Sequence, residues 1–307
     1  MKRVWVAGEV LIDLIPNSEG RPIPIVGGGG ANTAKASALL GLDTFFIDGI
    51  SNDDFGVMAR KELSDSGVRL DYANPSSNPT ATAKVTLDSR GTASYTFALE
   101  GTATFDFHQS WLPKGNPDVL HYGTLSTILT PGSDELFAWA SSITAAKVFD
   151  PNIRPSVLAD KNLYRDSVEQ WLAISDVVKF SSDDMNWLYS LDGSESSLVD
   201  MAKKILEQGP SIIVITLGAD GILGITRDQT LKVPSVLVAV VDTVGAGDTV
   251  GAIIVEAISH FGLSRFIEAK LDLTLSRAAR AAAITCSRAG AQPPSLAELG
   301  EVSRSYL

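Results

Sequence analysis

The chain reads as an α/β protein: a mostly parallel sheet with helices on both faces, carrying a small separate β-sheet. Three observations predict this. From residue 118 onward, short β-forming runs alternate with stretches of helical spacing, the order that builds a parallel sheet wrapped by helices. Residues 80–100 change character: two β-rich runs, 81–88 and 92–99, are joined by Asp88-Ser89-Arg90-Gly91, a hairpin with a turn glycine. Residues 235–241, four of them valine, lead through Asp242-Thr243-Val244-Gly245-Ala246-Gly247-Asp248 into a helical pattern.

At 307 residues the chain can bury a large core, and one large domain with an insertion is expected rather than two independent ones. The formal net charge of −11 argues against nucleic acid or an anionic membrane as partner. It also means that a site handling phosphate must rely on local groups and a counter-cation. The single Cys286 excludes an intramolecular disulfide and suits a reducing cytoplasm. With only His108, His121 and His260 beside it, a zinc site is not expected. The first strand pattern starts almost at Met1, so no signal peptide is expected, and no apolar run approaches the ~18–20 residues of a membrane span.

In chain order, residues 4–8 form a short buried strand, followed by Glu9-Val10-Leu11-Ile12-Asp13. Ligands of an open parallel sheet meet the carboxyl ends of its strands. Asp13 is therefore either a loop acid in solvent or an acceptor for two hydroxyl groups. Gly27-Gly28-Gly29-Gly30-Ala31-Asn32 runs straight into a helical pattern at 33–40 closed by Gly41, which a flexible linker would not do. Residues 45–47 read as a strand and 54–66 as a helix stopped by Gly67, with a solvated start at 51–56. Residues 22–26 join the 80–100 hairpin in the small sheet, and Tyr95, Phe97 and Phe105 form either hairpin core or an apolar wall for a ligand. Further strands are expected at 119–122, 145–149, 177–180 and 212–217, and helices at 133–143, 161–172 and 195–208. Arg154, followed by Pro155, stays in a strand-end loop. There it either pairs with a surface acid or binds hydroxyl groups and neutralises a phosphoryl group.

The last stretch carries the chemistry. Residues 235–241 read as a buried strand, and Val250, Ile253, Ile254, Ala257 and Ile258 share one helix face. A strand that turns through two glycines into a helix leaves N–H groups unpaired where the macrodipole favours negative charge. Gly245 and Gly247 let that backbone approach a phosphate closely. Asp248 would repel a resting phosphate, so it makes more sense as a base for the group that attacks it.

Asp-Thr-x-Gly-Ala-Gly-Asp, about 60 residues from the end, resembles the second signature of the ribokinase-like sugar kinases, the PfkB family. Gly27, Gly28 and Asn32 resemble its first, Gly-Gly-x-x-x-Asn, about 210 residues earlier, and the likeness runs over essentially the whole chain. Asp150-Pro151-Asn152-Ile153-Arg154 resembles the fructokinase and 2-keto-3-deoxygluconate kinase branches, and residues 95–103 resemble the fructokinase branch more than the ribokinase branch. The resemblance implies a ribokinase-like α/β fold over residues 1–307, with lid strands at about 14–27 and 80–100 that also form a homodimer contact. It implies ATP-dependent phosphorylation of a primary hydroxyl of fructose, with 2-keto-3-deoxygluconate or ribose as the alternative acceptors. The sugar is then held by Asp13, Gly27, Gly28, Asn32, Phe97, Asn152 and Arg154. Gly245, Ala246 and Gly247, with Arg154, stabilise the moving phosphoryl group, and Asp248 is the base. The nucleotide falls to Lys179, Thr216, Gly218, Gly221, Val244, Gly245, Gly247 and Gly290. Ser181 and Asp184 stand where the family has Asn-x-x-Glu, so Asp184, or its neighbour Asp183, would organise Mg²⁺ through water. A monovalent cation, K⁺, beside Asp242 is an option. Glycine at position 30, often proline in the fructokinase type, implies a looser hinge. A carboxylate at a helix start should stay ionised at pH 7, which makes Asp248 a weak base, adequate for a loose transition state. Outside enzymes, the alternative is a sugar-binding regulator without catalysis. A dinucleotide oxidoreductase is disfavoured because no Gly-x-Gly-x-x-Gly turn follows the first strand.

Overall fold

Strand β1 (Arg3–Ala7) sets the plan, because its side chains feed two cores: Val4 and Val6 pack on one side, Trp5 and Ala7 on the other. The computed structural model describes residues 2–17, 19–87 and 93–302. After β1 come β2 (Leu11–Pro16), β3 (Pro22–Gly27), α1 (Gly29–Leu39), β4 (Asp43–Ile47), β5 (Gly49–Ser51), α2 (Asp54–Asp65), β6 (Asn74–Ser76), β7 (Thr82–Leu87) and β8 (Ala93–Ala98). The second half alternates: β9 (Val119–Gly123), α3 (Gly132–Ser142), β10 (Ala146–Asp150), α4 (Lys161–Leu172), β11 (Val177–Ser181), α5 (Ser182–Tyr189), α6 (Glu195–Leu206) and β12 (Ile212–Thr216). A hairpin, β13 (Ile222–Ile225) and β14 (Thr230–Val233), precedes α7 (Ala246–Phe261), α8 (Leu263–Ala269), α9 (Leu271–Cys286) and α10 (Leu296–Leu299).

Eight strands form the main sheet in the order β14-β13-β12-β11-β10-β9-β1-β4. It is parallel from β12 to β4, and the β13–β14 hairpin closes the other edge antiparallel. One face is covered by α3 to α6 over Trp5, Tyr122, Phe149, Phe180 and Ile215. The other is covered by α1, α2, α7 and α9 over Val4, Val6, Val148, Val177 and Val214. A second sheet, β3-β2-β7-β8, stands off the carboxyl end of β1. The crossing is pinned by the buried Asp48 carboxylate, which accepts N–H groups from Val10 (3.3 Å), Gly49 (2.8 Å) and Phe105 (3.1 Å). Burial raises its carboxyl well above the usual range.

Several expectations change. Residues 235–241 form no strand and are not buried; Leu237 is 95% exposed. The main sheet ends at β14, and this apolar run does not pair with it. The helix expected from residue 33 starts earlier: Gly27 ends β3, Gly28 is the N-cap, and α1 begins at Gly29. Gly30 is seated on Gly8, where an added Cβ would lie 2.4 Å from the Gly8 carbonyl carbon, so the position is clamped rather than loose. The small sheet begins at Leu11 rather than near 14, which puts Asp13 inside β2. Phe105 is buried in the core instead of facing a ligand. The hairpin turn at 88–91 and the side chain of Tyr95 lie outside the described residues.

Helix α7 is apolar almost all round, yet Glu256 sits in its middle, fully buried. Arg277 of α9 holds it with two parallel bonds, Nε to Oε2 at 2.7 Å and Nη2 to Oε1 at 2.8 Å. Arg277→Ala leaves that carboxylate buried without its cation. The expected loss is ~3–5 kcal/mol of unfolding free energy, measured by urea denaturation.

Candidate active site

The carboxyl ends of β1, β9 and β10 converge on the first turn of α1. A Cβ added at Gly29 would lie 2.4 Å from Thr124 Cγ2, 3.1 Å from Asn152 Nδ2 and 3.4 Å from Glu9 Oε1, so only glycine fits there. Thr124 and Asn152 both adopt left-handed backbone (φ 55° and 41°), strain that recurs at functional sites. Glu9 is 3% exposed. Its carboxylate accepts the Gly29 N–H at 2.8 Å and hydroxyls from Thr124 and Ser126. Burial raises its carboxyl, with the Thr124 and Gly29 hydrogen bonds and Arg154 pulling the other way. Glu9 escaped the sequence reading, although the argument used for Asp13, a carboxylate at a strand's carboxyl end, applies to it equally.

These groups wall a cavity of about 380 Å³ together with Asp13, Gly28, Asn32, Phe97, Arg154 and Asp248. Gly27 does not line it. A Cβ at Gly27 would lie 2.2 Å from Asp13 Oδ2, so its part is to leave room for that carboxylate. Burial pushes Asp13 up to about 6, against the pull of Arg154. The Arg154 guanidinium is exposed and is steered by the Asn152 side chain, Nη1 to Oδ1 at 2.7 Å.

Gly245 caps α7 in left-handed backbone (φ 78°), turning the chain so that Gly245, Gly247 and Asp248 at the start of the helix line the cavity. Asp248 is 7% exposed and accepts the Asn32 side-chain N–H at 2.9 Å, joining α1 to α7. It stands in the first turn of α7, as expected, but the helix start does not set its acidity alone. Burial dominates and raises its carboxyl above the ordinary value, even with Lys179, Asn32, Arg154 and Lys35 pulling it down. A carboxyl raised in this way holds a proton more tightly than a solvent-exposed one.

A second cavity, about 390 Å³ and mostly apolar, lies on the other side of the turn. Thr216, Gly218, Gly221, Ala246 and Gly247 line it, and so do Val236, Leu237, Val238 and Val240 from the run misread as a strand. Val244 and Gly245 line the first cavity instead, and Gly247 lines both. Three residues expected at the nucleotide or metal have partners within the protein. Lys179 is buried and paired with Asp150 at 3.0 Å. Asp184 is the third residue of a capping box, its oxygens accepting the N–H groups of Ser181 and Ile153, both at 2.9 Å. Gly290 donates its N–H to Asp242 Oδ2 at 2.9 Å, while Asp242 Oδ1 accepts the Val244 N–H at 3.1 Å. Asp242 thus clasps two loops. Among the described residues no cluster of three or more His, Cys, Asp or Glu side chains could cage a metal ion.

A polar cavity and an apolar one sharing a glycine turn at a helix N-terminus, on a ribokinase-like α/β fold, define a phosphotransferase that acts on a sugar. The chain belongs to the pfkB family of carbohydrate kinases, whose model matches residues 1–298. It is 38% identical over 257 residues to a fructokinase of Rhizobium leguminosarum bv. trifolii, covering 81% of this chain and 77% of that one. It is 30% identical over 293 residues to a fructokinase of Klebsiella pneumoniae, covering 94% of each. The crystal structure of fructokinase from Vibrio cholerae O395 with fructose, ADP and calcium ion bound matches with a TM-score of 0.83 at 26% identity, covering 100% of this chain and 98% of that one. Gly29→Ala, which drives a methyl group into Thr124, is expected to raise the KM for sugar by on the order of 10²-fold with little change in the KM for nucleotide. Steady-state kinetics with each substrate varied in turn checks it.

Proposed function

We propose that the protein transfers the γ-phosphoryl group of ATP to a primary hydroxyl of fructose, with Asp248 as the base. One observation carries the reading: the same turn, through Thr243 and Gly247, walls both cavities. A sugar in the polar cavity and a nucleotide with its base in the apolar one and its triphosphate toward the turn would meet across it. The α7 amides would stabilise charge on the moving phosphoryl group, as preorganised donors do, and Asp248 would accept the hydroxyl proton. Asp13, Asn32, Gly28, Asn152 and Arg154 supply the polar groups a sugar needs, and Phe97 an apolar wall.

The polar cavity favours a neutral sugar over 2-keto-3-deoxygluconate. Glu9, Asp13 and Asp248 already bring three carboxyl groups to it, and Arg154 is the one cationic side chain among its described lining residues. The names of the relatives support fructose over ribose. Mg²⁺ bound with the nucleotide would neutralise charge on the β- and γ-phosphates. Asp183 and Asp184 suit a water-mediated hold on it, since both Asp184 oxygens already accept amides. We place K⁺, where it is needed, beside the Asp242 clasp. A homodimer through the small sheet is proposed from Ile15, Ile23 and Ile25, exposed on β2 and the edge strand β3.

Asp248→Asn should cut turnover ~10²–10⁴-fold, the usual weight of general-base catalysis, while ATP binding stays nearly intact. The assay is ADP release over fructose, ribose, 2-keto-3-deoxygluconate and adenosine, and normal turnover of the variant would remove the role of Asp248. The raised Asp13 carboxyl gives a pH signature. Its charged form accepts sugar hydroxyls and is lost as pH falls through about 6, so the KM for fructose should climb below that pH and Asp13→Asn should flatten the climb. Light scattering of Ile23→Glu should show a monomer where the parent is a dimer.

A further inference from the structure

Beneath the Gly245–Gly247 turn, three neighbouring strands break the valine pattern of their face. Val119, Val148 and Val177 pack toward α1 and α7; two residues on, β9, β10 and β11 carry His121, Asp150 and Lys179, all buried. Lys179 Nζ lies 3.0 Å from Asp150 Oδ2, with both side chains almost fully buried. It also sits under Gly247, where an added Cβ would be 2.8 Å from Nζ. Gly247 is therefore glycine for the ammonium below as well as for a phosphate above. Asp150 Oδ1 and both nitrogens of His121 have no hydrogen-bond partner.

Such a pair is a poor stabilising device. Desolvating two charges generally costs about as much as their attraction yields, and hydrophobic residues of similar volume serve at least as well. What the pair does provide is a fixed positive charge in a water-free place, where salt screens it little. Lys179 stays protonated there: burial pulls its ammonium down, but Asp150, Asp184 and Asp248 lift it above the ordinary value.

We propose that Lys179 is a positioning residue for phosphoryl transfer, held by Asp150 so that its ammonium charges the turn from the protein side and faces Asp248. The proposal rests on Asp248 being the base. The groups facing Asp248 are Asn32 and Lys35 on α1, Asp150 on β10, Lys179 on β11 and Arg154 in the loop after β10. His121 on β9 is held neutral by burial and by Lys179, which push it down to about 3. On α9, Arg277 is engaged by Glu256, and Arg265 of α8 lies over Phe261 at the far end of α7.

The test compares Asp150→Asn, which keeps the ammonium, with Asp150→Asn/Lys179→Met, which removes it without leaving an unpaired carboxylate. Removing the cation disfavours ionised Asp248, so the acid limb of the kcat–pH profile should move to higher pH. At pH 7, kcat should fall on the order of 10- to 10²-fold, less than a directly touching oxyanion donor is worth, with the KM for sugar little changed. Lys179→Arg, which keeps the charge, should leave the acid limb in place, and it serves alone if the double variant does not fold. Equal kcat and the same limb in the two Asp150→Asn proteins, or a displaced limb in Lys179→Arg, would overturn the proposal. If those results came with an inactive Asp248→Asn, the base would stand and only Lys179 would lose its role.

Discussion

The close seating of α1 between β1 and α7 is the constraint on which the rest of the site depends. The first nine residues of α1, from Gly29 to Ser37, are all buried, and most of them are glycine, alanine, serine or threonine. Small side chains let its axis approach β1 closely enough for Gly30 to rest on Gly8. At that distance the Asn32 amide reaches Asp248 and the Gly29 amide reaches Glu9. A larger residue in the first turn would push α1 outward and separate the two signatures that meet there. The stretch is expensive in backbone entropy, roughly 0.5–1 kcal/mol for each helical glycine relative to alanine. Its persistence is explained by the geometry it permits.

Magnitudes decide the state of Asp248. A helix N-terminus favours a carboxylate by typically 0.3–1 kcal/mol. Burying an ion carries a penalty of several kcal/mol even after relaxation. Burial therefore wins, and the carboxyl lies above its ordinary value despite the dipole and the surrounding cations. The same imbalance governs Glu9, Asp13 and Asp48, all raised by burial in a chain with a net charge of −11. Within the proposed mechanism, acidity that would be a liability for binding triphosphate becomes a supply of bases and hydroxyl acceptors.

The residues from 235 to 241 show how an apolar run can escape the core. Leu237, Val240 and Val241 are among the most exposed large hydrophobic side chains described. The run follows the edge hairpin without pairing with it, and several of its side chains wall the apolar cavity instead. Exposed apolar surface concentrated at one cleft marks a binding surface. A nucleotide base is the proposed occupant.

Taken alone, the sequence determined the α/β class, the parallel strands from 119 to 216 with their helices, the hairpin pair and the two glycine signatures. These rest on local periodicity and on turn chemistry, which the chain carries within a few residues. It also brought Asp13, Arg154 and Asp248 forward as candidates from their places at strand and helix ends, and Asn32 through the resemblance of the first glycine signature. Only the tertiary structure decided burial and neighbours: that Asp248 is desolvated, that Lys179 answers to Asp150, that Asp184 caps a helix, and that Glu9 belongs to the cavity. Those properties depend on which distant strands and helices come together. Desolvation and pairing are set by groups up to 216 positions apart in the chain, as Asn32 and Asp248 are, and no local pattern records them.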